Sequence, residues 1–528
     1  MTVIEATAGL NLSIDTKVVI ACAGLGSRMA ILNSTLHKGL LPYKNAPLIW
    51  HLISKIPEDL GILILLGHKS QQIKDFVSIT FPNRNIEYIE IVDYTSPNSG
   101  TAVSLIQARN KISKSFWYFP CDAYVEDEIS DLLTNSPSSD TIFVSEESSV
   151  LYPDDYTVIL EDQGQVIDYQ YKGNTTHLEN RKIFTGFMFM RNGIDFLETL
   201  EKKKYNEFVH AFHQNLKVSP LQSWKDMGSP DEYKRHLNSE SNYDFSKPNE
   251  ITYVLPSLVV KYFSDEKEAL EKPKKPSLFP EVYPKNNGAL GNFSYYEKVK
   301  GETLYRSVDV SKFRELLVWL KQELWEPVDE NIERECREFY EVKTKARINA
   351  VSSNLPYDWN QSYSLNRSTL VNPKETLSNL EFDSLLSDIK AVGIHGDLQF
   401  DNIIHLENGG FKLIDWRTSF GSNYVNGDIY YDLAKLLGGI EMDYSKIKRG
   451  NFTFHIMESE VHYEFPPAKN HEMLRSELES FCRTEGYNWE KVCYLTGIIY
   501  INMSPLHTRP FRDLLFFHSI DRLSIKNH

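Results

Sequence analysis

From residue 17 to residue 125 short apolar runs alternate with amphipathic stretches, and this alternation restricts the fold more than any other feature of the chain. KVVIACAG, GILILLG, IEYIEIV and SFWYFPCD are compact and rich in β-branched or aromatic residues, as buried strands are. Between them, PLIWHLISKI, QQIKDFVSI and TAVSLIQARNKI carry apolar residues at helical spacing. Strand–helix alternation of this kind predicts an α/β fold with a mostly parallel, doubly wound sheet. TIFVSEE, TVILEDQGQVIDYQY and FTGFMFMRN add strand-like pieces, read as an insertion or an extension of the sheet.

The pattern then changes. A polar stretch, HLNSESNYDFSKPNEI at 236–251, separates it from a region where SLVVKYF, EVYP and FSYYEKVKGETL read as strands of a small antiparallel lobe. From about residue 310 the chain turns mostly helical, with FKLIDW at 411–416 as a short strand among the helices. At 528 residues the chain exceeds what one hydrophobic core usually serves. The expected organisation is therefore a domain over 1–238, a linker over 239–251 and a second domain over 252–528, α+β and two-lobed. The charge run KEALEKPKKP at 267–276 is most simply a solvated loop or helix end.

Charge narrows the function classes. With 57 Lys and Arg against 72 Asp and Glu the net charge is −15, which argues against nucleic acid or an anionic membrane as partner. The five cysteines are scattered and form no C-x-x-C pair, fitting reduced thiols rather than a zinc site or a disulfide frame. No run approaches the roughly 20 apolar residues of a membrane span, and MTVIEATAGLNLSIDTK lacks the basic and apolar regions of a signal peptide. The expectation is a cytoplasmic protein acting on small molecules, without membrane insertion and with oligomerisation left open.

Two constellations carry chemistry. In the first, residues 20–28 read Ile-Ala-Cys-Ala-Gly-Leu-Gly-Ser-Arg, a strand running into a glycine-rich turn whose backbone N–H groups suit a phosphate. Alone, Gly24-Leu25-Gly26 is a weak signal, but Ser27, Arg28 and then Lys38 in KGLLPYKNAPLI follow in order. This G-x-G-S-R…K-x-L-L-P…P-L-I series resembles the sugar-nucleotidyltransferase superfamily, phosphocholine cytidylyltransferases included. Ser99-Gly100-Thr101-Ala102 is similar to the segment lining the base, and Phe119-Pro120-Cys121-Asp122 to the strand end that carries a metal-binding aspartate. Tyr171-Lys172-Gly173 resembles the element whose lysine meets the substrate phosphate. Trp224-Lys225-Asp226-Met227-Gly228-Ser229-Pro230 resembles the segment with the second metal-binding aspartate. Over residues 15–235 the resemblance implies a Rossmann-like nucleotidyltransferase domain. Arg28 and Lys38 would neutralise the triphosphate and act in catalysis. Gly24, Leu25, Gly26, Ser27, Gly100, Thr101 and Lys172 would bind substrate, and Asp122 and Asp226 would hold Mg²⁺, a hard ion suited to carboxylates.

In the second, residues 393–404 read Gly-Ile-His-Gly-Asp-Leu-Gln-Phe-Asp-Asn-Ile-Ile. His395, Asp397 and Asn402 have the H-x-D-x-x-x-x-N spacing of a phosphotransferase catalytic loop, and Leu413-Ile414-Asp415-Trp416-Arg417 follows as a strand ending in aspartate. The set resembles the aminoglycoside phosphotransferase and choline kinase family, and Asn426-Gly427-Asp428 through Asp432-Leu433-Ala434 is similar to that family's bracing helix start. The resemblance, over about 245–525, implies a kinase-like domain using ATP. Asp397 would accept the proton of a hydroxyl acceptor, and Asn402 and Asp415 would bind Mg²⁺. Lys261 of SLVVKYF would hold the ATP phosphates with Glu268 or Glu271 as its partner, and His395 would brace the loop. Tyr295-Tyr296-Glu297-Lys298-Val299 reads as either a hinge beside adenine or strand core.

Together the halves imply a bifunctional enzyme. The second domain would phosphorylate a small hydroxyl metabolite with ATP, and the first would couple the product to an NTP, CTP or UTP, with release of pyrophosphate. The product would be a nucleotide-activated sugar or polyol for bacterial surface polysaccharide. The alternatives are choline kinase with CTP:phosphocholine cytidylyltransferase, since Trp359, Trp416, Tyr430 and Tyr431 offer rings for a quaternary ammonium, or a kinase with a non-catalytic nucleotidyltransferase-like domain.

Overall fold

A computed structural model describes residues 16–524, apart from 27–28, 30–33, 93, 127, 174–180, 214–215, 238–248 and 354. The chain divides into two units: residues 1–240 with Thr252–Leu255, and residues 241–251 with Pro256–His528. No helix among the described residues is long and apolar enough to cross a membrane.

The first unit is built on a nine-stranded sheet. Its strands are β1 (Thr16–Cys22), β2 (Gly61–Leu66), β3 (Ile86–Glu90), β4 (Ser115–Pro120), β5 (Thr141–Glu146), β6 (Val158–Asp162), β7 (Gln165–Gln170), β8 (Arg181–Met190) and β9 (Lys217–Pro220), in the order β3-β2-β1-β4-β8-β5-β9-β7-β6. The first four, which are the four apolar runs of the alternating region, pair in parallel. The strand-like pieces that follow extend the same sheet, with β8 antiparallel to β4 and β5. Val18, Val19 and Ile20 are fully buried in succession, because helices cover both faces of a crossover sheet. On one face the helices Thr101–Gln107 and Gly193–Lys203 bury Ala102, Leu105, Phe196 and Leu200 against Val19, Leu63, Leu65 and Tyr118.

The chain order reverses between β1 and β4, and such a switch opens a crevice at the carboxyl ends of the strands. The segments after β1 and β4, Ala23–Gly26 and Cys121–Asp122, emerge into that crevice. The short strand Ala123–Tyr124 then pairs with Lys225–Asp226, opposing Ala123 to Asp226.

In the second unit β10 (Leu258–Phe263), β11 (Asn286–Leu290) and β12 (Phe293–Glu297) form an antiparallel array in the order β10-β12-β11. EVYP, read above as a strand, is a turn between Pro280 and Pro284, and it buries Val282 and Tyr283. Proline supplies no ladder donor, so a four-residue run bounded by prolines pairs poorly. Tyr296 is buried on β12 with its ring 5.3 Å from that of Trp416, and so contributes to strand core. Glu250 and Ile251, assigned above to the linker, begin the strand Glu250–Val254. The rest of this unit is largely helical. Ile429–Glu441 and Trp489–Met503 are apolar on nearly every side and buried accordingly, with Gly438 allowing Tyr500 to donate to its carbonyl at 3.2 Å.

The segment from Ile394 to Asn402 follows the strand Ala391–Gly393, and β13 (Ile403–Leu406) and β14 (Phe411–Leu413) form the hairpin that precedes Asp415.

Candidate functional site

The crevice of the first unit is a cavity of about 480 Å³. Its lining includes Gly24, Leu25, Gly26, Lys38, Gly100, Thr101, Asp122, Lys172 and Asp226, residues drawn from six separate stretches of the chain. Ser27 and Arg28 lie outside the described residues. Gly26 has φ of +63°, a left-handed conformation that glycine adopts without steric cost. Lys38 opens the turn Lys38–Leu40, where its Nζ lies 2.7 Å from Asp122 Oδ2. Burial pushes the Lys38 ammonium down, but Asp122 outweighs burial and holds it above its ordinary range.

His37 sets that turn. Its Nδ1 accepts from the Gly39 N–H at 2.9 Å and its Nε2 lies 2.9 Å from the Cys22 carbonyl, so the ring is neutral with the proton on Nε2. Burial lowers its pKa to about 4. Asp226 meets Asp122 across the small strand pair. A Cβ placed on Gly228 would stand 2.9 Å from Asp122 Oδ2 and 3.2 Å from Asp226 Oδ1, so the two carboxylates converge on this glycine. Tyr156 donates to Asp226 Oδ2 at 2.7 Å, and Thr101 donates to Glu207 Oε2 at 2.6 Å. Tyr156 and Glu207 also line the cavity. Sequence reasoning missed both, since neither belongs to a spaced motif.

In the second unit Asp397, Asn402 and Asp415 come together around His395. Its Nδ1 accepts from the Asp397 N–H at 3.1 Å and its Nε2 lies 2.9 Å from the Ile414 carbonyl, tying the loop to the hairpin that follows. Burial lowers the His395 pKa to about 3 and keeps it neutral, suited to bracing. The fully buried Asp432 accepts from the His395 and Gly396 N–H groups at 2.9 and 2.8 Å. Asn402 donates its Nδ2 to the Asp397 carbonyl at 2.8 Å, which presents its Oδ1 as an acceptor. Asp415 adopts φ of +56°, an unusual conformation for a non-glycine residue and one found at functional turns.

Lys261, 1% exposed, ion-pairs with Asp415 and reaches Glu250 Oε1 at 2.5 Å. Its glutamate is thus Glu250 rather than Glu268 or Glu271, and Glu271 pairs with Lys274 instead. Both candidates follow Lys261 in the chain, whereas the partner comes from before it. The charge run at 267–276 is also not wholly solvated. Lys272 and Lys275, three residues apart, are 2% and 1% exposed and donate to the carbonyls of Trp416 and Arg417. Lysine stems bury readily when the ammonium finds carbonyls, and here they clamp the turn after Asp415. Lys435 was also missed. It stands 2.7 Å from Asp397 Oδ1, one helical turn after Asp432.

No family model matches the chain. Among curated proteins it is similar to the "Bifunctional protein GlmU" of Methanococcus aeolicus, 28% identical over 222 residues, covering 40% of this chain and 51% of the relative. The protein of the same description from Methanococcus maripaludis is 25% identical over 223 residues, with the same coverage of 40% and 51%. The N-terminal part resembles nucleotidyltransferases. The chain spans about half the length of the curated relatives it matches. Solved structures include an inositol-1-phosphate CTP transferase from T. maritima, at 12% identity and a TM-score of 0.35 over 42% of this chain and 93% of that one. A CTP:phosphocholine cytidylyltransferase from Streptococcus pneumoniae has 17% identity and a TM-score of 0.33 over 42% and 97%.

Among the described residues no group of three or more His, Cys, Asp or Glu side chains is arranged to hold a metal. The acidic donors come as Asp122 with Asp226 in one unit, and as Asp415 beside the Asn402 amide in the other.

Proposed function

We propose that the chain is a bifunctional transferase. In this reading the second unit moves the γ-phosphoryl group of ATP to a hydroxyl of a small metabolite. The first unit then joins that phosphate to the α-phosphorus of an NTP, CTP or UTP, and pyrophosphate leaves. The observation that carries the reading is the gathering of Lys38, Asp122, Lys172 and Asp226 around one cavity beside a glycine-rich turn. A phosphate nucleophile is already ionised, so such a site needs cations and positioning more than a base. Lys38 and Lys172 supply cations, Gly24 and Gly26 let backbone approach the phosphates, and Thr101 starts the helix facing the base.

Magnesium fits the donor set of both units. Asp122 and Asp226 converge on Gly228, and Mg²⁺ takes one or two carboxylates and completes its shell with water and substrate phosphates. Bound there, the ion would offset phosphate charge. In the second unit Asp397 takes the acceptor proton as the oxygen–phosphorus bond forms and the bond to ADP breaks. Lys261 meets the phosphates, and Asn402 and Asp415 present oxygen ligands. The acceptor is read as a sugar or polyol destined for a bacterial surface polymer.

The test is a mass-spectrometric assay of the whole chain with Mg²⁺, ATP, each NTP and a panel of alcohols including choline, glycerol, pentitols and hexoses. A phosphorylated acceptor that goes on to a nucleotide adduct is the expected result. Phosphorylation with no adduct under any NTP would reduce the first unit to a non-catalytic domain.

A further inference from the structure

Around Asp397 the second unit concentrates positive charge. Lys435 lies 2.7 Å from its Oδ1. Arg417 folds back over the catalytic loop, donating from Nε to the Gly396 carbonyl at 3.2 Å. Gly396, at φ of +81°, leaves room for it, since a Cβ there would stand 2.8 Å from Arg417 Cβ. On the facing helix, Lys343 Nζ lies 3.6 Å from the centre of the Phe339 ring and the Arg417 guanidinium 5.2 Å from the same ring. Arg347, one turn beyond Lys343, extends the same face.

Lys343, Arg347 and Arg417 are all part-exposed, and among the described residues none of them is ion-paired to a carboxylate. The helix that carries Phe339 and Lys343 passes through a π-turn at Glu338–Val342 before resuming at Lys343, and such turns commonly re-aim side chains at functional sites. The rings are also already engaged. Phe339 meets two cations of the chain, and the Tyr430 ring has Lys491 Nζ 4.1 Å from its centre. A quaternary ammonium would compete with these cations for the rings and would meet repulsion from the lysines and arginines. Burial, together with repulsion from Arg417, Arg347 and Lys435, pushes the Lys343 ammonium well down, so a negative charge brought among these groups is favoured.

We propose that the acceptor phosphorylated at Asp397 bears a negative charge of its own, a carboxylate or a phosphate, held by Lys343, Arg347 and Arg417. The inference rests on the reading of the second unit as a hydroxyl phosphotransferase and names its substrate class. The acceptor hydroxyl loses its proton to Asp397, its oxygen bonds to the γ-phosphorus of ATP, and the bond from that phosphorus to the bridging oxygen of ADP breaks. Lys435 keeps Asp397 ionised until the proton arrives.

The test uses the full chain. Titration calorimetry with Mg²⁺ and the non-hydrolysable ATP analogue AMP-PNP is followed by titration of D-glucuronate, glycerol 3-phosphate, glucose and choline, in wild type, Lys343→Gln and Arg347→Gln. Circular dichroism melting checks that each variant folds. Glucuronate or glycerol 3-phosphate is expected to bind at least 10-fold more tightly than glucose. That binding should weaken at least 10-fold in either variant, with the AMP-PNP affinity changed less than 2-fold. Tighter binding of choline or glucose, or anion binding indifferent to both substitutions, would overturn the proposal and leave the phosphotransferase reading in place. Mg²⁺–AMP-PNP binding that Asp415→Asn does not weaken would overturn that reading itself, and the proposal with it.

Discussion

Lys38 and Lys261 do the same work in two unrelated folds, each placing an ammonium against a carboxylate that sequence reasoning had assigned to a metal. Removing the carboxylate by Asp122→Asn leaves a half-buried lysine without its main counter-ion. The expected outcome is a loss of pyrophosphate release of about 100-fold or more, the scale seen when one charge-stabilising group is removed. Phosphorylation of the acceptor should be unchanged, and both are read from one reaction by phosphorus NMR. The ordered motif set made Lys38, Asp122, Thr101, Lys172 and Asp226 legible without a structure, because each stands at a fixed distance from a strand end or a glycine. Tyr156, Glu207, Glu250 and Lys435 were not legible in that way. Their partners stand between 11 and 106 residues away in the sequence, at separations that belong to no spaced motif. Lys435 alone left a usable sign, as the basic residue one turn after the bracing Asp432.

Elements aim these groups. Gly228 lies between two carboxylates with no room to spare, and Gly228→Ala puts a methyl group against Asp122 Oδ2. Its φ is not positive, so the backbone tolerates alanine. Activity of the first unit should therefore fall about 10-fold or more, through separation of the carboxylates, with little shift of the melting temperature. The helix Ile429–Glu441 is the opposite case. Leu433 is fully buried in it, and Leu433→Ala is expected to cost about 2–5 kcal/mol, measured by urea denaturation, with steady-state constants near wild type in the fraction that stays folded. Element type followed from periodicity wherever a run was long. It failed at EVYP, where prolines on both sides leave too few donors for a ladder. At KEALEKPKKP the charge of the run suggests solvent throughout, and the structure corrects this only for Lys272 and Lys275, which turn inward.

For the molecule as a whole, acid is a probe of the buried histidines. His37, His395 and His518 are held neutral by burial, with pKa values near 4, 3 and 3, all below the unfolded value of about 6.5. A depressed histidine pKa means the unfolded chain binds the proton first. Stability is therefore complete above pH 6.5 and falls below it, by about 1.4 kcal/mol per group per pH unit. Asp432, raised to about 6 by burial, acts in the opposite sense only below pH 6. The melting temperature is expected to drop between pH 6.5 and pH 5, and a flat or rising profile by circular dichroism would contradict the burial of these rings. Two motif sets in series marked the two places where polar side chains gather, whereas the charge character around Asp397 was not legible, because it is assembled from three separated segments. The lysine–aspartate pairs found in both units bear on the order of addition. An aspartate that already has a lysine as counter-ion attracts a bare divalent ion weakly. On the reading proposed above, cation and nucleotide would then arrive as one complex, with the phosphates offering the lysine a new counter-ion. Turnover would in that case track the fraction of nucleotide complexed with magnesium, and raising free magnesium beyond saturation of the nucleotide would bring no further gain.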